Sequence, residues 1–76
     1  MDRQLLQEHL ARAERRISES DILVERQRLL VDQLINQGHA EMARSAVEIL
    51  AGFERILAAR RALRHSILEE LAENSN

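Results

Sequence analysis

Three histidines, thirteen acids, eleven arginines and five serines make up most of this sequence's capacity for chemistry. If the chain folds back on itself, His9 and His65 reach nearly the same level, and two imidazoles are half of a zinc or di-iron site. The other half is missing. Carboxylate-bridged metal sites on facing helices use Glu-x-x-His, whereas Leu6 stands three residues before His9 and Ala62 three before His65. No metal site and no cofactor are expected. Glu69, Glu70 and Glu73 read as a solvated face, and no glycine-rich phosphate loop, nucleophile elbow or inward carboxylate pair accompanies them. The serines fall at helix caps, on seams or in the tail. Phe53 is the only aromatic, too little to line a small-molecule pocket. An enzyme is not expected, and neither is a small-molecule substrate.

The arginines form a sharper pattern. The stretches RAERRIS and AARRALRH place Arg12, Arg15 and Arg16 at the same distances from the middle of the chain as Arg64, Arg61 and Arg60. Against Glu14 and Glu19 this band carries a net charge of +4, leaving −6 on the rest of the chain. A basic belt of that kind could grip phosphate. However, the whole chain is acidic at −2, the belt lacks stacking aromatics, and no DNA-reading motif is visible. Pairing with acids of a partner copy is therefore the favoured use of the belt. Nucleic acid or another anionic ligand is the alternative.

Those residues need elements to hold them, and the composition permits one kind. Proline is absent and Ala, Leu, Glu, Arg and Gln predominate, all strong helix formers. Leu6, Leu10, Ala13, Ile17, Ser20, Val24, Gln27, Val31 and Leu34 follow alternating steps of four and three, a heptad seam. Met42, Ala46, Ile49, Phe53, Ile56, Arg60, Leu63 and Ile67 give a second seam, widened by Leu50, Leu57 and Leu71. Between them stands Gly38-His39, where glycine suits a left-handed cap. The spacing predicts helices over 2–36 and 40–72, a turn at 37–39 and a disordered tail at 74–76, so that 1–73 forms one helical-hairpin domain. Asp2 is the expected N-cap, and His39 the expected cap of the second helix. Ser18–Asp21 could break the first helix, and Ser45 with Glu48 matches a capping box that could delay the second; both lie among good helix formers, and continuous helices are expected. Short connections between long helices give antiparallel hairpins. In that register Leu34 meets Met42, Val24 meets Leu50 and Phe53, and Leu6 meets Leu71.

Two helices enclose no core, and 76 residues bury little surface alone. The fold expected is all-α: a two-helix hairpin that dimerises into a four-helix bundle or coiled coil. The candidate interface is Ile22 and Leu29 together with the small-residue column Ser45, Gly52, Ala59 and Ser66. The absence of cysteine removes disulfides and thiolate sites. The charged first twenty residues argue against a secretory leader there, and no apolar run approaches a membrane span. A cytoplasmic location without membrane association is the expectation.

With AERRISE, the Gly-His turn and ILAGFERIL in view, the chain resembles a group of small bacterial helical proteins of unknown function. Their pattern is an AERxIxE-like segment, a Gly-His turn and a later Leu-x-x-Phe-Glu-like element, and it spans about Leu10 to Leu71. In that group Asp or Thr often follows the Gly-His step, where Ala40 and Glu41 stand here. The resemblance implies the hairpin and carries over no catalytic or binding residue. From the residues themselves, the expected role is a non-enzymatic, self-associating interaction or regulatory module that works as a homodimer and can take a protein partner.

Overall fold

The computed structural model describes residues 2–74, and over them the chain is two helices, α1 (Arg3–Asn36) and α2 (Ala40–Asn74), packed along their whole length. Asp2 caps α1 as expected, its carboxylate accepting from the Gln4 amide at 3.4 Å. Helix α1 runs unbroken through Ser18–Asp21, where the Ser18 hydroxyl bonds back to the Glu14 carbonyl at 3.2 Å. Helix α2 starts at Ala40 with no delay to Ser45 and continues to Asn74, two residues beyond the expected end. Asn74 is therefore helical; Ser75 and Asn76, the rest of the expected tail, lie outside the described residues, as does Met1.

The reversal is made by the backbone of Gly38 and His39. The Gly38 amide donates to the Ile35 carbonyl at 3.0 Å and the His39 amide to the Leu34 carbonyl at 2.9 Å, the paired bonds of a Schellman cap. This geometry needs a positive φ at the first of the two, and Gly38 has φ +77°. The His39 carbonyl then accepts from the Ala43 amide at 2.9 Å and opens α2. His39 thus closes one helix and starts the next through its main chain.

The seam of α1 is the one the sequence spells out: all nine of its positions are buried or half-buried. The seam of α2 is rotated from the expected one. The inward positions are Ala43, Ala46, Leu50, Phe53, Leu57, Arg60, Ile67 and Leu71, while Met42, Ile49, Ile56 and Leu63 are exposed. Leu34 accordingly clusters with Val31, Ala43 and Ala46, and Met42 lies exposed outside that cluster. Near the open end Leu6, Ala13 and Ile67 form a second cluster, with Leu10 and Leu71 against it. Two alanines beside the turn let the helices approach where the connection is tightest. The molecule is a rod of 57 × 14 × 13 Å, in keeping with arms of roughly 50 Å at 1.5 Å per residue.

Candidate functional site: one closed and one open side of the hairpin

The polar members of the seams lock the register. Gln27 donates from Nε2 to the Ala46 carbonyl at 2.9 Å. Arg60 reaches across from α2 and donates to the Ser20 hydroxyl at 2.5 Å and to the Arg16 carbonyl at 3.0 Å. In place of a carboxylate, two neutral oxygens fixed on α1 accept from this half-buried guanidinium. Ser20 is buried at 3% exposure, so this serine and this arginine explain each other's place on an otherwise apolar seam. Among the described residues no buried side-chain nitrogen or oxygen lacks a partner.

The two flanks of the seam differ. On one, Arg28 pairs with Glu54 at 3.1 Å, Arg61 with Asp21 at 3.1 Å, and Arg64 with Glu14 at 3.5 Å. This is the closed side, bridged by ions over its middle, from the level of Glu14 to that of Arg28. On the other flank lie Leu23 and Leu30 on α1 and Met42, Ile49, Ile56 and Leu63 on α2. Their exposures run from 41% to 60%. Leu23 and Ile56 meet over Phe53, Ser20 and Arg60 in a small depression. Toward the open end the same flank sinks into a cleft of about 280 Å³ lined by Leu6, His9, Arg12, Arg16, Leu63 and Glu70, with Ala13 and Ile67 in its floor. This is the open side.

The belt is divided between these sides. Arg12, Arg16 and Arg60 come together at the cleft. Arg61 and Arg64 lie on the closed side, engaged with Asp21 and Glu14. Arg15 is exposed on α1 and borders neither the cleft nor the depression. The six arginines share a level along the rod but not a surface. The interface candidates are divided as well. Ser45, Gly52, Ala59 and Ser66 each follow an exposed apolar residue of α2 by three positions, so the small column borders the open side. Ile22 and Leu29 are 52% and 60% exposed on the back of α1, about half a turn from Ser20 and Val24 and from Gln27 and Val31. His9 is half-buried at the cleft, whereas His65 is exposed beside Glu69 at 2.6 Å. The two histidines share a level and point to different sides. Among the described residues no three His, Asp or Glu side chains gather as metal ligands, and no helix is long and apolar enough to cross a membrane.

The apolar column of the open side is visible in the sequence, where its bulk points it inward. Its residues are as large as those that take that place, or larger, and the polar contacts between the helices, the ion pairs on the opposite flank and Arg60 with Ser20, distinguish the two rotations. Fold and site together define a helical hairpin with one flank closed by ion pairs and the other left apolar. No protein-family model, no curated protein and no solved structure matches the chain.

Proposed function

We propose that this chain is a non-enzymatic interaction module that self-associates through its open side, two hairpins closing into a four-helix bundle. The observation that carries the reading is the rotation of α2. Met42, Ile49, Ile56 and Leu63 are as large and apolar as the inward Ala43, Leu50 and Leu57, or more so, yet they face solvent. With Leu23 and Leu30 they make an exposed apolar row along a rod that has little core of its own, the kind of patch that marks an association surface. Covering six half-exposed side chains is worth roughly 1 kcal/mol apiece, a large fraction of the stability of a domain this small. Sedimentation equilibrium over a range of concentrations tests the reading. A concentration-dependent dimer supports it, and a fully helical monomer at all micromolar concentrations refutes it.

A second reading rests on Arg12 and Arg16, which line the cleft beside Arg60 and make no ion pair among the described residues. In that case the cleft takes an anionic ligand or nucleic-acid phosphate. Duplex DNA or RNA would then bind at low salt and dissociate steeply as salt rises; absence of binding at low salt removes it.

A further inference from the structure

The open side is lopsided in charge and in size. Its α1 strip, formed by His9, Arg12, Arg16, Glu19, Leu23, Arg26, Leu30 and Gln33, carries three arginines against one acid, a net +2. Its α2 strip runs through Met42, Ile49, Ile56, Leu63 and Glu70, bordered by Ser45, Gly52, Ala59, Ser66 and Glu73, and with Glu48 and Arg55 at its edge it carries a net −2. Large side chains project from the α1 strip, while a small residue recurs every seven residues along the α2 strip, between the large ones. Nothing inside the hairpin asks for this: a Cβ on Gly52 would meet only the Arg55 guanidinium, at 3.8 Å. A rod face of 57 by 14 Å offers roughly 800 Å² per partner, the size of a standard stable interface.

We infer that the occupant of the open side is a second copy of this chain, docked with α1 of each hairpin on α2 of its partner and both turns at the same end. The inference rests on the self-association proposed above and fixes its geometry. A two-fold axis along the rod makes each contact twice. It sets the positive α1 strip on the negative α2 strip of the partner, and large residues over small ones. At matched levels Leu30 faces the partner's Ser45 and Ile49, and Leu23 faces the partner's Gly52 and Ile56. Arg26 comes to the level of the partner's Glu48, and His9 and Arg12 toward the partner's Glu70. The other two-fold arrangement, with turns at opposite ends, stacks α1 on α1 and α2 on α2. It brings Arg12 and Arg16 against the partner's Arg26, like charge on like charge.

The lack of cysteine makes the geometry directly readable. Leu30→Cys and Ser45→Cys are prepared as separate full-length proteins, mixed and oxidised, with helicity checked by circular dichroism. The expected result is a disulfide-linked dimer from the mixture and none from either protein alone. Ile56→Cys alone is expected to stay uncrosslinked. Crosslinking of Ile56→Cys alone, with none in the mixture, overturns the docking in favour of α2 on α2. A dimer in sedimentation that crosslinks in neither test overturns it in favour of another face. A monomer in sedimentation removes the self-association itself, so the two failures are told apart.

Discussion

The closed and open sides of this hairpin flank the same seam, and they hold it by different means. The closed side is bridged by Arg28–Glu54, Arg61–Asp21 and Arg64–Glu14, all between side chains roughly half exposed. Pairs of that kind are worth about 0–1 kcal/mol each and weaken with salt. Their effect is on choice: slipping one helix by a single turn, or rotating α2 by one column, breaks every pair at once. The open side is bridged by no ion pair among the described residues and carries six half-exposed large apolar side chains, Leu23, Leu30, Met42, Ile49, Ile56 and Leu63. One side selects the register, and the other is left with the energy that association can use. A hairpin with ions on both sides would be a complete but weak monomer, and one with apolar residues on both would have no preferred rotation.

The comparison breaks most severely if the open side proves inert. Ile49→Glu combined with Ile56→Glu should weaken self-association by at least about 100-fold, because a carboxylate buried without a partner costs several kcal/mol. Sedimentation equilibrium gives the number, and an unchanged constant would show that the exposed column is only surface. Beneath that side lies the floor of the cleft, where Leu6 is 1% exposed and packs with Ala13 and Ile67. Leu6→Ala should lower unfolding free energy by about 3 kcal/mol, within the range for fully buried leucines, as read by urea denaturation. A loss below about 1 kcal/mol would mean that this end frays and that the two sides differ only near the turn.

At the turn both sides share one constraint. Gly38→Val should cost about 2 kcal/mol from backbone conformation alone, since φ is +77° and a Cβ there would meet no atom within 4 Å. His39→Ser should be nearly silent, because His39 acts through its amide and carbonyl. Thermal melts of the two variants, compared side by side, check both. An equal loss in each would assign the turn to the imidazole.

How far this is legible from sequence follows from the same asymmetry. The α1 seam has polar or charged residues on most of its other faces, so one rotation stands out and all nine positions are readable. Helix α2 has apolar residues in three adjacent columns, and hydrophobic periodicity cannot rank the rotations when each offers a stripe. Choosing the more hydrophobic column as inward follows the usual rule, and it fails at Met42, Ile49, Ile56 and Leu63. What decides the rotation is long-range: Arg28 with Glu54, Arg61 with Asp21, and Arg60 with Ser20 are separated by 26, 40 and 40 residues. Matching the levels of α1 and α2 puts Arg60 close to Arg16 and Ser20, but levels alone do not say which flank a side chain occupies. For that reason the belt reads as one surface when it is two.

The smallest effect is the most discriminating for the closed side. Arg61→Gln should cost at most about 0.5 kcal/mol at low salt and nothing measurable at about 1 M salt, since the pair with Asp21 is more than half exposed. Asp21→Asn should match it, and the double variant should cost little more than either single one, because both changes remove one interaction. If selection of the rotation is what the pairs do, neutralising all three should leave the helix content nearly intact. It should then let α2 turn Met42, Ile49, Ile56 and Leu63 inward, and the open side would lose its apolar row. Self-association would fall in a protein whose open side has not been touched. That coupling, measured as a weaker dimer with closed-side variants alone, is the result that a pair of independent surfaces would not give.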